Sequence, residues 1–214
     1  MFRPNPILPL SRATLGLCAF LFLVATGSQA RADAENYSKT LASTAWIITS
    51  NADNETSTGT GVLVDGEKRL VLTNAHVVGD SRSAVVFFPD VKDGRPEVKR
   101  KHYLDRVVKL AQPGKVVAID RKRDLALIQL PKVPERASAI ELAEDSILPG
   151  SDVGMIGNPG GKDILWVYTS GTVRSVYDKK FKSDHGQHDF RAVETQSPIK
   201  PGDSGGPVVN AEGK

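Results

Sequence analysis

GTGVLVDGEKRLVLTNAHVV occupies residues 59–78, and its pattern decides the fold class. Thr60 to Val64 and Arg69 to Thr73 are short runs rich in β-branched and aliphatic residues, with Asp65-Gly66 between them as turn chemistry. Two such runs joined by a turn predict paired strands, because no 3.6-residue period is sustained through them. The second run leads into Thr73-Asn74-Ala75-His76-Val77-Val78, which sets a histidine among aliphatic residues at a strand end.

Similar runs lie on either side. Segments 45–50, 83–88, 115–120 and 124–130 complete a first group of six predicted strands. Several are apolar at both parities, as expected where one face lines a closed barrel and the other lies under loops. Residues 131–150 carry Pro131, Pro134 and Pro149 and read as a linker. A second group of four predicted strands follows at 151–157, 164–176, 189–197 and 206–210. A short helix is expected at 34–43, and the most charged stretch, 91–106, reads as a solvated loop. The fold class is therefore all-β, with a first domain at 34–130 and a second at 151–214.

Composition narrows the function classes. At 40% hydrophobic and 25% charged residues, the 214-residue chain is neither disordered nor a coiled coil. A net charge of +3 is too small to argue for nucleic acid. Residues 1–12 carry Arg3 and Arg12 and no acid, and Ala13 to Thr26 is uncharged. Small residues follow, so 1–30 reads as a secretory signal peptide cleaved after Ala30 or Ala32. A membrane anchor retained through 13–26 is the alternative, although that run is short for a span. Cys18 lies inside the leader, so the exported chain is expected to hold no disulfide.

Two further places carry chemistry. Gly202-Asp203-Ser204-Gly205-Gly206-Pro207 sets a serine on a glycine-rich turn before an apolar strand, where small neighbours admit a substrate backbone. Arg123-Asp124-Leu125 opens a strand with an aspartate. A serine hydroxyl needs a base to become a nucleophile, and imidazole suits that work. A carboxylate on the other ring nitrogen would fix the tautomer. The order His76, Asp124, Ser204 differs from that of α/β-hydrolases and subtilisins, and no amphipathic helix follows Ser204 as a nucleophile elbow would require.

These segments, together with VVAIDRKRDLALIQL (116–130), GMIGNPGG (154–161), TSGTVRSV (169–176) and ETQSPIKPGDSGGPVVN (194–210), resemble the chymotrypsin-fold serine proteases, and among them the HtrA/Deg group. The resemblance implies two six-stranded antiparallel barrels with the active site between them, and peptide-bond hydrolysis with no cofactor or metal. It implies His76 as general base, Asp124 as its orienting partner and Ser204 as nucleophile, with the amides of Gly202 and Ser204 as oxyanion hole. The pocket floor falls on Ser197, Pro198 and Ile199; none is acidic, which points to small or medium apolar residues before the scissile bond. Protein or peptide substrates are implied, unfolded chains included, with room for a homo-oligomer and with a periplasmic or extracellular location.

The resemblance has departures and rivals. Asp203 stands where the HtrA/Deg group usually has Asn, and no Ile-Val-Gly-Gly-like start is present. Four strands in the second group, where the fold uses six, suggest a stretch of a longer protease. A protease-fold chaperone or binding module without activity is the alternative function. Asp184, His185 and His188 raise a metal site, but a solvated loop accounts for that spacing as well.

Overall fold

The computed structural model describes residues 34–50, 55–161, 163–183 and 186–214. The chain divides into 1–35 and 36–214. Of the first unit only Ala34 and Glu35 are described, both exposed and helical; the leader and its cleavage site lie outside the described residues. The expected helix, α1, runs through 34–43 and passes directly into the first strand.

Six strands close into a barrel in the order β1-β2-β3-β8-β7-β4. They are β1 (Thr44–Ser50), β2 (Thr56–Asp65), β3 (Leu70–Thr73), β4 (Ser83–Phe87), β7 (Gln112–Asp120) and β8 (Leu125–Gln129). All six were expected from the first group of runs, and β2 and β7 extend further than their apolar cores. Alternation explains why both parities are apolar. Ala45 and Ile47 of β1 join Leu63, Val71, Val86 and Ile128 inside the barrel. Trp46, on the opposite face, joins Phe87, Tyr103, Ile156 and Trp166 in a second buried cluster.

That second cluster corrects the expectation of a solvated loop at 91–106. The segment holds a two-stranded ribbon, β5 (Val91–Lys92) with β6 (Arg95–Pro96), followed by the single-turn helix α3 (Arg100–Leu104) and then α4 (Val107–Leu110). Tyr103 is fully buried. Its hydroxyl donates to the Glu97 carbonyl at 2.7 Å and accepts from Asp90 N and Trp166 Nε1, each at 3.0 Å. One aromatic residue anchors the segment, and its charged neighbours cover the outside.

The second group forms a four-stranded antiparallel sheet in the order β11-β10-β9-β12, a half-barrel beside the closed one. Its strands are β9 (Asp152–Gly157), β10 (Val167–Ser183), β11 (Gly186–Thr195) and β12 (Val208–Val209). Residues 131–150 carry neither helix nor strand. β10 runs past its expected end to Ser183, and β11 starts earlier than expected, at Gly186, and stops at Thr195; the two form a long hairpin paired from Val173↔Thr195 to Ser183↔Gly186. His188 is therefore not in a solvated loop. It is buried on β11, stacked on Phe181 at 4.6 Å, with Nε2 against Ser183 Oγ at 2.7 Å. Asp184 and His185 of the same motif lie outside the described residues, and among the described residues no group of three potential ligands could hold a metal ion. No helix among the described residues is long and apolar enough to cross a membrane.

Candidate active site

β3 ends at Thr73, and the chain turns through Asn74 into the single-turn helix α2 (Ala75–Val78). Val77 and Val78 are buried under the barrel, which leaves His76 on the outer face of the turn. Asp124 sits just before β8 with φ +56°, a left-handed backbone that costs a non-glycine residue energy and re-aims its side chain. From there its carboxylate holds His76 at two points. Oδ2 lies 2.7 Å from the ring Nδ1, and Oδ1 accepts the His76 main-chain N–H at 2.9 Å. Asn74 Nδ2 donates to the Asp124 carbonyl at 2.8 Å, completing the link. In the tautomer that carries its proton on Nδ1, toward the carboxylate, Nε2 is an acceptor nitrogen.

Ser204 arrives on a turn held from three sides. Asp203 N donates to the Lys200 carbonyl at 3.0 Å, and Asp203 Oδ2 accepts from Lys200 N at 2.8 Å. Thus Asp203, buried against Gly157, spends its carboxylate on capping its own turn. From the first barrel, Thr60 of β2 donates its main-chain N–H to the Ser204 carbonyl at 2.9 Å and its hydroxyl to the Gly202 carbonyl at 2.8 Å. From the half-barrel side, Gly160 N donates to the Pro201 carbonyl at 2.6 Å.

Glycine is required at two points of this turn. Gly202 has φ +98°, and an added Cβ would stand 2.6 Å from Gly160 N. Gly205 has φ +83°, and a Cβ there would fall onto the Thr60 carbonyl and Thr73 Oγ1 and lie 3.1 Å from Asn74 N. The turn is thereby laid against the strand end that leads to His76. Between Ser204 and His76 themselves, no side-chain hydrogen bond forms among the described residues.

Asp203 N and Gly206 N donate to carbonyls, whereas Gly202 N, Ser204 N and Gly205 N have no protein acceptor among the described residues. Unspent amides beside a serine can stabilise an oxygen that becomes negative. Of the expected pocket residues, Ser197 is buried beside Gly171, where a Cβ would lie 2.7 Å from Ser197 N, while Pro198 and Ile199 are exposed.

Sequence reading missed the polar hub behind the turn. Asn158 and Thr60 are both fully buried. Asn158 N and Nδ2 donate to Thr60 Oγ1 at 3.0 and 3.2 Å, Nδ2 also reaches the Ala45 carbonyl at 3.2 Å, and Oδ1 accepts from Trp166 N at 3.0 Å. A single asparagine thus joins β1, β2 and the start of β10. The only sequence signal was a polar residue between the apolar end of β9 and a proline.

A closed six-stranded barrel packed against an antiparallel half-barrel, with a His–Asp pair on the first and a glycine-rich serine turn at their junction, defines the chymotrypsin-like class of fold. The chain belongs to the trypsin-like peptidase domain family, whose pattern matches residues 59–214. Among curated proteins it is 28% identical over 209 residues to a serine protease HtrA-like protein of Staphylococcus aureus (strain USA300), and the match spans 86% of this chain and 24% of that protein. Solved structures share the fold. Deg5 superposes with a TM-score of 0.63 at 22% identity, over 86% of this chain and 82% of that one. The active form of the Rv3671c protease of M. tuberculosis superposes with a TM-score of 0.62 at 23% identity, over 82% and 68%. An HtrA-type protease solved with a tripeptide gives 0.61 at 25% identity, over 85% and 51%.

Proposed function

We propose that this chain is a serine endopeptidase that cleaves protein or peptide substrates through an acyl-enzyme. His76 removes the Ser204 proton as Oγ attacks the scissile carbonyl, and the same imidazolium then protonates the leaving amine. Asp124 holds the ring and stabilises the imidazolium. The Gly202 and Ser204 amides receive the oxyanion, and water drawn through His76 frees the acid product. The observation that carries the reading is the two-point hold of Asp124 on His76 beside a turn whose Gly202 and Ser204 amides are unspent. Nε2 and Oγ have yet to meet by hydrogen bond, which is common before substrate orders such a site.

Fluorophosphonate labelling of the chain, with Ser204→Ala beside it, tests the assignment. Label confined to the parent and mapped to the Ser204 peptide supports it, together with cleavage of unfolded casein by the parent only. Absence of label in both would favour a binding module. Export to the periplasm or beyond belongs to the same proposal, supported by the leader-like residues 1–30. Amino-terminal sequencing of the mature protein should then begin at Arg31 or Asp33; an intact Met1 start would refute cleavage.

A further inference from the structure

The segment 91–106 meets the 158–160 loop, which lies behind the catalytic turn, through the side chain of Arg100. Arg100, on α3, stacks its guanidinium over the Trp46 ring with 4.8 Å to the centroid. From that position Nη2 donates to two successive carbonyls, Asn158 at 2.9 Å and Pro159 at 2.8 Å. The next amide along, Gly160 N, is the one that holds the Pro201 carbonyl. On its other side the same 158–160 backbone is in contact with Gly202, whose missing Cβ would meet Asn158 O at 2.5 Å and Gly160 N at 2.6 Å. The neighbouring backbone is also tied to α3: Leu165 N donates to the Val98 carbonyl at 2.8 Å, and Lys99 bridges Ile164.

We infer that Arg100 is a positioning residue for the oxyanion hole. No peptide among the described residues is cis, so in the planar Pro201–Gly202 peptide the carbonyl and the N–H point in opposite directions. Fixing the Pro201 carbonyl on Gly160 therefore fixes the direction of the Gly202 N–H. Gly160 can do this only while the 158–160 loop keeps its place, and Arg100 is the charged donor that clamps that loop from behind. Burial draws its proton affinity below the ordinary arginine value, with Asp163 opposing the shift. The group is thus partly desolvated, where a charge-assisted hydrogen bond is strong. Lysine has donors but lacks the flat face that stacks on Trp46, and glutamine can supply only a neutral donor.

This inference rests on the peptidase reading above, and its test separates the two. Arg100→Lys and Arg100→Gln are compared with the parent and with Lys101→Ala, an exposed neighbour. Peptide turnover should fall through kcat by about 10- to 100-fold, the range a small misplacement of a catalytic group produces. KM should move far less, and lysine should retain more activity than glutamine. Independently of activity, amide exchange followed by NMR should show Gly160 N–H protected in the parent and in Lys101→Ala, and exchanging faster in both Arg100 variants. If Ser204 does not react in the parent, the peptidase reading has failed and exchange alone judges the clamp. Unchanged Gly160 exchange in folded Arg100→Gln overturns the inference, as does an unchanged kcat in an active chain.

Discussion

Replacing Thr60 with valine keeps shape and volume and removes one hydroxyl from a fully buried position. That hydroxyl donates to the Gly202 carbonyl and accepts from Asn158 N and Nδ2. In Thr60→Val, Asn158 Nδ2 keeps the Ala45 carbonyl, but Asn158 N and the Gly202 carbonyl lose the partner recorded for them. A fully buried orphan costs about 1–3 kcal/mol and the half-buried Gly202 carbonyl costs less, so the variant should lose about 1–4 kcal/mol. Thr60→Ser keeps all three hydrogen bonds and removes a methyl group that packs near Gly206, which should cost about 1 kcal/mol. Urea unfolding of both variants against the parent measures the difference, with equal m-values as the check that the transition has kept its character. Fluorophosphonate labelling of folded Thr60→Val should also slow, because the Gly202 carbonyl has lost its anchor. The reasoning is refuted if valine costs no more than serine, for the hydroxyl would then contribute nothing beyond its volume.

The other expectations concern the His–Asp pair and the buried tyrosine. Asp124→Asn removes the anion that orders and stabilises the imidazole, and kcat should drop by about 10⁴, as in chymotrypsin-type triads; a loss below tenfold in a steady-state peptide assay would exclude the role given to Asp124. Burial pushes the Tyr103 hydroxyl up to about 12. Its folded value therefore lies above the ordinary tyrosine value of about 10. The associated stability is fully present below about pH 10 and disappears as pH rises towards 12, by about 2–3 kcal/mol. Tyr103→Phe should flatten that slope in alkaline unfolding curves, and parallel slopes would count against the assignment.

The first barrel was legible because its strands are short runs rich in aliphatic and β-branched residues separated by turn chemistry such as Asp65-Gly66, a pattern that sustains no helical period. The half-barrel hairpin was harder to bound. Lys179, Lys180 and Lys182 extend β10 beyond its apolar part, where ladder pairing and the Asp189 ion pairs take over from apolar alternation. Segment 91–106 misled for a related reason, since its charged residues concealed Tyr103 and gave no sign that Arg100 turns inward. His76, Asp124 and Ser204 stood out through residue type and order. Thr60 and Asn158 did not, because a polar residue that bonds distant backbone leaves no periodic trace in its own neighbourhood. The partner of Asp203 proved to be the amide three residues earlier, visible only once the turn was closed.

Asn158 also bears on how long such a chain survives its own kind. Its amide is shared by Ala45, Thr60 and Trp166, so neither half can loosen without stranding polar groups in the other. Opening one half alone therefore carries the cost of those orphaned groups, and segments that open cheaply are the ones that proteolysis finds. On the peptidase reading proposed above, each molecule in a population is potential substrate for the next. A seam that raises the cost of opening one half alone makes half-open molecules rarer, and under that reading it limits self-digestion.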